Sequence, residues 1–299
     1  MPPAERHDPA GAPPARVRGP RGPWDRPLSA LAADGHALLY GYVSDWVPDG
    51  ADDRGDDGAD GGGPSRLLAS EAPRYRAYRS PGPRRRFAAS RLLLKHAAGV
   101  VLGTDPARLE LGREPNGRPY LRGCRHLEIS LSHSGDLVAV GLSLLGPVGV
   151  DVEASARRVY GSGLEEEALT GHERAALGRL PEEERNAAVI RLWTLKEAYG
   201  KARGLGLRLP PRSFGFPVPG DPGAPAAGTR LLRADGTPAD DRGWRFETHR
   251  LEGRWTLSAA VAPAPFGAVR DPAAGALLDR TLAAAVVPRR PARHPEPGR

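Results

Sequence analysis

Cysteine and long apolar runs are scarce in this chain. One cysteine, Cys124, among 299 residues excludes an intrachain disulfide framework and any cysteine-rich zinc or iron–sulfur site. No segment approaches the roughly 20 consecutive apolar residues of a membrane helix, and the N-terminus lacks the apolar stretch of a secretory signal. We therefore expect a cytoplasmic protein whose chemistry uses oxygen and nitrogen groups.

Lysine is also rare, since only Lys95, Lys196 and Lys201 contribute to the 43 basic residues. The other cations are arginines, and the formal net charge is +7. This charge suits an acidic partner or a phosphate-rich ligand, although part of it lies in tails that solvent alone could accommodate. Two of the lysines fall in one predicted helix, which suggests that a compact ammonium is needed there.

Three stretches are rich in proline, glycine or charge and lack hydrophobic periodicity. We expect a disordered N-terminal tail over 1–27, a disordered insertion over 49–64 and a largely disordered C-terminal tail over 266–299. The closely spaced aspartates of the insertion lack the closing glutamate of a calcium-binding EF-hand loop. The ordered remainder is expected to form an N-terminal subdomain, 28–147, and a C-terminal subdomain, 148–265.

Each of these parts is predicted to be a helix with about three antiparallel strands. In the first, a helix over 84–102 precedes strand-like runs at 127–132, 137–144 and 148–153. In the second, Thr170 and Glu173 have capping-box spacing, and a longer helix follows over 186–203. A short run at 213–216 and a hairpin of 244–250 with 254–262 complete this part. The patterns therefore predict an α+β fold.

Two carboxylates share one face of the strand at 148–153. Val148, Val150 and Val152 point to one side, so Asp151 and Glu153 point together to the other. Like charges side by side destabilise a strand unless a cation lies between them, and a hard divalent metal is a suitable candidate. The alternative is an exposed edge strand with solvated acids.

An acid and a base share one face of the predicted helix at 186–203. Trp193, Glu197 and Lys201 are four residues apart and lie one above another. A Glu–Lys pair at this spacing is also an ordinary helix stabiliser. The rarity of lysine favours a functional ammonium, which suits the oxygens of a pyrophosphate.

Together these segments resemble a known family. The sequence GVDVE at 149–153, followed by WTLKEAYGKARGLGL at 193–207, resembles the signature pair of the 4′-phosphopantetheinyl transferases, in the version of the large surfactin-synthetase-activator (Sfp) type. The run ISLSHSGD at 129–136 resembles the serine–histidine motif of the family, and NGRPY at 116–120 resembles its upstream loop. The segment ASRLLLK at 89–95 is similar to its N-terminal helix.

The resemblance implies a reaction. The phosphopantetheine arm of coenzyme A would be transferred to a serine of an apo acyl or peptidyl carrier protein, with release of adenosine 3′,5′-bisphosphate. Asp151, Glu153 and Glu197 would hold Mg²⁺, which together with Lys201 would neutralise charge on the phosphates. Glu197 would accept the serine proton, and Asp151, Glu197 and Lys201 would be the catalytic residues.

The resemblance also implies a set of coenzyme A contacts and an architecture. Two similar subdomains would be related by a pseudo-twofold axis, with coenzyme A in the cleft between them, in a monomer. His133 could instead be a structural turn residue, and each arginine could simply be solvated. The expected coenzyme A contacts are Arg74, Arg86, Arg118, Pro119, Ser132, His133, Lys196 and Lys201.

Partners and alternatives follow from charge and motif. The expected partners are carrier proteins of polyketide, nonribosomal peptide or fatty acid synthesis, as in antibiotic biosynthesis, and no membrane or nucleic acid. An arginine-rich nucleic-acid-binding protein would also explain the pI near 10. A magnesium nuclease or phosphatase could use the same three carboxylates, and an inactive transferase-like protein would keep the motifs alone. The nucleic-acid and nuclease alternatives do not explain the whole pattern at 193–202.

Overall fold

The computed structural model describes residues 11–47, 68–220, 229–240 and 242–263. They form an α+β fold, as predicted, with two main sheets and two small ones. The helices are α1 Asp25–Asp34, α2 Val43–Trp46, α3 Ala72–Ala77, α4 Pro81–Leu102, α5 Leu164–Ala168, α6 Gly171–Gly178 and α7 Glu182–Ala202. The strands are β1 Ala15–Arg16, β2 His36–Tyr42, β3 Leu111–Arg113, β4 Pro119–Leu121, β5 Glu128–Ser134, β6 Leu137–Ser143, β7 Val148–Ala154, β8 Phe214–Gly215, β9 Leu232–Arg233, β10 Arg245–Leu251 and β11 Trp255–Val261.

The first sheet has the order β1-β2-β6-β5, and the second has the order β10-β11-β7. Pairing is antiparallel except between β1 and β2, which are parallel. The strands β3 and β4 form one small antiparallel ladder, and β8 and β9 form another. The predicted hairpin is confirmed, with β10 and β11 joined across Glu252 and Gly253.

The main sheets pack face to face and are covered on the outside by α4 and α7. Leu38, Leu137, Val150 and Leu257 belong to the apolar cluster between the sheets. Alternate residues of β2, β5 and β6 point instead to a cluster shared with α4, and the core beneath α7 includes Phe246 and Ala260. The period of two along each strand thus places apolar side chains in three successive layers.

The strand β7 is the main departure from the predicted topology. We expected it to follow β5 and β6 as the third strand of one meander, although the predicted boundary between the subdomains lies before residue 148. It pairs with β11 in the second sheet instead. Gly149 allows this, because a Cβ at that position would lie 1.9 Å from the carbonyl oxygen of Ala198. The bare backbone of β7 therefore packs directly on α7, and the first sheet takes its remaining strands from β1 and β2 instead.

The predicted N-terminal tail is wrong in part. Residues 11–27 are ordered: β1 pairs with Leu39 and Tyr40, and Val17 is fully buried. A short apolar segment around β1 is enough to order this part of the chain, because β1 pairs with β2 at the edge of the first sheet. The other predicted tail residues and the insertion at 49–64 lie largely or wholly outside the described residues.

Local signals explain the ends of the two long helices. Pro81 occupies the first turn of α4, and Gly103 ends it with φ 61°, a conformation that favours glycine. Glu182, Glu183 and Glu184 occupy the first turn of α7, where negative charge suits the helix dipole. Within the described part of the chain, no helix is both long and apolar enough to cross a membrane.

Candidate functional site

A cleft opens where the edge strands β5 and β7 of the two sheets meet. Its volume is about 480 Å³. Helix α4, the loop between β3 and β4, and the loop after α7 supply the other walls. Its charged and titratable lining residues are Arg91, Arg113, Arg118, His133, Asp151 and Lys201. A single carboxylate thus lies in a mainly cationic wall.

Serine hydroxyls join β5 to β7 at the floor of the cleft. The backbone N–H of Val150 donates to Ser130 Oγ at 3.0 Å, and that of Val152 donates to Ser132 Oγ at 3.3 Å. Ser130 and Ser132 are buried and two residues apart, so both point from β5 towards the second sheet. The hydroxyls thereby take the place of ladder carbonyls between the two edges.

Asp151 is the centre of the polar network. It is 9% exposed, and its Oδ1 accepts from Ser132 Oγ at 2.8 Å and from Lys201 Nζ at 2.7 Å. Lys201 also donates to the carbonyl oxygen of Val150 at 2.9 Å. The structure therefore brings together Asp151, Ser132 and Lys201, three of the residues that the sequence singled out.

Glu197 lies one turn before Lys201 on α7 and is half-buried. Burial raises the pKa of Glu197, the negative charge of Asp151 raises it further, and Lys201 opposes both. No donor within the described residues makes a hydrogen bond to its carboxylate. Glu197 is therefore an acceptor available to a ligand or a proton.

Glu153 is engaged differently from the other two carboxylates. Ser134 Oγ donates to its Oε1 at 2.5 Å, as does the backbone N–H of Ala154 at 2.9 Å. Arg157 pairs with its Oε2. Among the described residues, no three His, Cys, Asp or Glu side chains form a group able to hold a metal ion. The carboxylate of Glu153 is thus occupied by Ser134, Ala154 and Arg157, and the metal triad of Asp151, Glu153 and Glu197 stays a prediction.

Lys196 does not belong to the cleft, contrary to the prediction from sequence. Its side chain is 1% exposed and its Nζ pairs with Glu173 Oε2 at 2.8 Å. It also donates to the carbonyl oxygens of Pro211 and Phe214, both at 2.6 Å. Glu173 closes the confirmed capping box of α6 with Thr170. Lys196 therefore joins α7 to α6 and to the segment 211–214 inside the protein.

His133 lies between cations of both halves. Burial lowers the pKa of His133, and the nearby charges of Arg86, Lys201 and Arg91 lower it further. Neutral imidazole is consequently favoured near pH 7, with one ring nitrogen a donor and the other an acceptor. His133 lines both the cleft and the smaller cavity beside it, and its phosphate contact stays a prediction.

A second, smaller cavity of about 180 Å³ adjoins the cleft. Arg74 and Arg86 line it together with His133, and Arg91 belongs to both cavities. The guanidinium groups of Arg74 and Arg91 lie 5.4 and 4.4 Å from the ring centre of Phe87. The predicted residues Arg74 and Arg86 are thus close together, in a cationic pocket with an aromatic wall.

Arg118 and Pro119 line the cleft, as predicted. The guanidinium of Arg118 donates to Glu128 at 2.5 Å, and the Arg118 backbone N–H donates to Asn116 Oδ1 at 3.0 Å. The pairing with Glu128 holds the side chain against β5. Arg118 therefore contributes a fixed edge of the cleft rather than a freely solvated charge.

Sequence reasoning missed several cleft residues, of which Arg91 and Arg113 carry charge. The Nε of Arg91 donates to Glu71 at 3.2 Å, and burial lowers the pKa of Arg91. Arg91 stands within the segment 89–95 that resembles the family helix, but 40 arginines made any single one a weak signal. Gly204, with φ 65°, also lines the cleft and marks the end of α7.

Known proteins resemble this chain over part of its length. A model of the 4′-phosphopantetheinyl transferase superfamily matches residues 147–260. The 4′-phosphopantetheinyl transferase HetI of a Nostoc species is 32% identical over 47% of this chain and 61% of its own length. The 4′-phosphopantetheinyl transferase of Bacillus subtilis is 27% identical over 41% of this chain and 54% of its own length.

A third relative is matched over more of its length. The 4′-phosphopantetheinyl transferase AcpT of Salmonella typhimurium is 34% identical over 47% of this chain and 70% of its own length. The chain thus spans only about half to seven-tenths of the length of these curated relatives. The family match over 147–260 contains β7 and α7, and with them Asp151 and Lys201, but it does not include Ser132 on β5.

Proposed function

Since the chain belongs to the 4′-phosphopantetheinyl transferase superfamily, we propose that it transfers the 4′-phosphopantetheine arm of coenzyme A to a serine hydroxyl of an apo carrier protein. The cleft between β5 and β7 carries this proposal. It places Asp151 and Lys201 beside arginines and His133, an arrangement suited to the diphosphate of coenzyme A. Arginine and lysine neutralise phosphate charge, and neutral imidazole adds a hydrogen bond.

The two cavities suggest how coenzyme A is oriented. The diphosphate would lie near Lys201 and His133, and the 3′-phosphate near Arg74 and Arg86 in the smaller cavity. Arg91 belongs to both cavities and would contact the ligand between these groups. Arg118 and Pro119 would border the adenosine end.

Magnesium is part of this proposal, and the donor set supports it. Asp151 and Glu197 offer carboxylate oxygens, which Mg²⁺ prefers. Burial and, after it, the negative charge of Asp151 raise the pKa of Glu197. The ammonium group of Lys201 lies 2.7 Å from Oδ1 of Asp151, so the other oxygen of this carboxylate would bind the metal. Asp151 and Glu197 would hold the ion, and Glu153 would join them after releasing Arg157. When bound, the ion supplies positive charge to the diphosphate.

The residues of the chain support one displacement at phosphorus. The carrier serine oxygen attacks the phosphorus that bears pantetheine, and the bond from that phosphorus to the bridging oxygen breaks. Glu197 accepts the serine proton, directly or through a water. Lys201, held by Asp151 at 2.7 Å, stabilises the charge on the departing adenosine 3′,5′-bisphosphate. Positioning and electrostatics supply most of the rate enhancement of such a transfer.

The carrier protein and the setting complete the proposal. The acceptor would be a carrier protein of polyketide, nonribosomal peptide or fatty acid synthesis, whose acidic surface suits the net charge of +7. One chain supplies every proposed site residue, so a monomer in the cytoplasm suffices. A pseudo-twofold relation between the halves would follow from the α4–sheet–sheet–α7 layering.

The test is intact-protein mass spectrometry of an apo carrier protein incubated with coenzyme A, Mg²⁺ and this protein. We expect the carrier to gain the mass of phosphopantetheine with the wild type and with Glu183→Gln, an exposed glutamate on the same helix. Glu197→Gln should slow the gain by about 10²-fold or more, because it removes the proton acceptor.

Two results would contradict the proposal. Coenzyme A binding without transfer to carriers of any of the three pathways would mean that the acceptor class is wrong. Failure of the wild type to bind coenzyme A at all would exclude the transferase activity. Full activity of Glu197→Gln would exclude only the assignment of the proton acceptor.

A further inference from the structure

Two hydrogen-bond donors converge on one oxygen of Asp151. Ser132 Oγ donates to Oδ1 at 2.8 Å and Lys201 Nζ donates to the same atom at 2.7 Å. No donor among the described residues is bonded to Oδ2. One oxygen of this carboxylate is therefore fixed by the protein, and the other is available to a ligand.

The direction of the Ser132 hydroxyl is set by its surroundings. A serine hydroxyl has one proton to donate and lone pairs with which to accept. The Val152 N–H occupies a lone pair of Ser132 Oγ at 3.3 Å, so the proton is directed at Asp151. Ser132 is 8% exposed, which limits competition from water.

The same strand arrangement keeps Asp151 in place. Val152 follows Asp151 on β7, so Ser132 is bonded both to the side chain of Asp151 and to the next backbone N–H. The bond from Val152 holds Ser132 against β7, and the bonds from Ser132 Oγ and Lys201 Nζ to Oδ1 oppose rotation of the carboxylate. Asp151 is thus held from β5 and from α7 at once, by one group of each half of the molecule.

We propose that Ser132 is a positioning residue, which holds Oδ1 of Asp151 so that Oδ2 is presented to a divalent cation shared with Glu197. This rests on the proposed function. It differs from the direct coenzyme A contact that the resemblance implies for Ser132, which lines the cleft, and the experiment below separates the two roles. Partners of this kind behind a metal ligand typically change metal affinity by about 10- to 100-fold.

The experiment measures Mn²⁺ affinity by electron paramagnetic resonance and coenzyme A affinity in EDTA by calorimetry, on the full chain. Ser132→Ala should weaken Mn²⁺ binding about tenfold and leave coenzyme A affinity without metal within about twofold. Ser132→Thr keeps the hydroxyl and should restore most of the Mn²⁺ affinity.

Ser143→Ala is the matched control. Ser143 is fully buried in β6 and also accepts backbone N–H groups, from Leu145 at 3.1 Å and Gly146 at 3.3 Å. It bonds to no carboxylate, so its loss should leave Mn²⁺ affinity unchanged. Circular dichroism would establish which variants are folded. If Ser132→Ala is not, Ser132→Cys takes its place, because cysteine is close to serine in size but has only a weak S–H donor, so it should also weaken Mn²⁺ binding.

Three outcomes would overturn the positioning role. These are unchanged Mn²⁺ affinity in folded Ser132→Ala, weaker coenzyme A binding by that variant in EDTA with Mn²⁺ affinity preserved, and absence of Mn²⁺ binding by the wild type. Carrier modification, measured separately by mass spectrometry, tests the proposed function. Wild-type Mn²⁺ binding that depends on Ser132 without any carrier modification would overturn that function alone.

Discussion

At the scale of the residue, Lys196 and Lys201 lie on the same helix in different surroundings. The side chain of Lys196 is 1% exposed and that of Lys201 is 31% exposed. Lys196 pairs with Glu173 inside the C-terminal half, whereas Lys201 pairs with Asp151 at the cleft. Five residues along a helix turn the side chain by more than a full turn, so the two ammonium groups serve different partners.

Lys196→Met should lower the free energy of unfolding by about 3–5 kcal/mol, because Glu173 would remain buried without its counter-ion. Coenzyme A affinity of the folded variant should stay unchanged.

Lys201→Met should have the opposite effects. Coenzyme A affinity should be lost, whereas the free energy of unfolding should fall by no more than about 1 kcal/mol, because the ion pair of Lys201 with Asp151 is partly exposed. Urea denaturation and calorimetry measure the two effects. Equal losses of coenzyme A affinity would show that Lys196 reaches the ligand.

At the scale of the element, the contact of β7 with α7 determines the site. Asp151 and Glu153 are two residues apart on β7 and lie on the side that faces α7. Glu197 and Lys201 share one face of α7. The distance between these elements is set at Gly149, where the helix backbone leaves no space for a Cβ. A glycine two residues before Asp151 thus controls how close the carboxylate comes to Lys201.

Gly149→Ala should force β7 and α7 apart. The new Cβ would lie 1.9 Å from the oxygen of Ala198 and 2.6 Å from the nitrogen of Ala202. Such overpacking typically costs about 1–3 kcal/mol or more, and carrier modification should fall even where the variant is folded.

The matched control for this contact is Gly178→Ala, at the end of α6. Outside the backbone of its own helix and its chain neighbours, no atom lies within 4 Å of a Cβ there. A neutral or slightly stabilising effect of up to about 1 kcal/mol is therefore expected. Thermal unfolding and the mass-spectrometric assay compare the two variants. A Gly149→Ala protein as stable and active as Gly178→Ala would contradict the close-packing argument.

At the scale of the whole molecule, a buried ion pair connects the two sheets away from the cleft. His36 Nε2 on β2 lies 2.7 Å from Glu247 Oε1 on β10, and both side chains are 2% exposed. His36 Nδ1 lies 3.3 Å from the carbonyl oxygen of Asp34. Two acceptors around one imidazole favour the doubly protonated form.

The charges around this pair give it a pH dependence. Burial lowers the pKa of His36, but the hydrogen bond and charge of Glu247 and the bond to Asp34 outweigh burial and the charge of Arg245, so the pKa rises above 6.5. Burial raises the pKa of Glu247, but bonds from His249 and His36 outweigh it, so the pKa falls below 4.5.

The free energy of unfolding should therefore depend on pH in a defined direction. The His36 contribution is complete below pH 6.5 and is lost as pH rises through the higher folded-state pKa. The Glu247 contribution is complete above pH 4.5 and is lost as pH falls through the lower one. His36→Gln should remove the alkaline decline, measured by urea denaturation at a series of pH values.

His126→Gln is the control for this pH dependence, because His126 is partly exposed in the loop before β5. This variant should keep the wild-type decline above pH 6.5. If the free energy of unfolding of His36→Gln declines with pH as it does in the wild type and in His126→Gln, another group is responsible. The pair of His36 with Glu247 would then not be the cause of the pH dependence.

The sequence by itself determined the family resemblance, the α+β class, the capping box of α6 and the β10–β11 hairpin, and it predicted Asp151, Glu197 and Lys201 as site residues. These depend on local spacing, since periods of 2 and 3.6 place side chains on common faces. Only the tertiary structure decided that β7 joins the second sheet, that Lys196 is internal and that residues 11–27 are ordered. Each depends on contacts between distant segments: the packing of Gly149 on Ala198, the pairing of Lys196 with Glu173, and the addition of β1 to β2. The same holds for Ser132, because only the meeting of two sheet edges directs its hydroxyl towards Asp151.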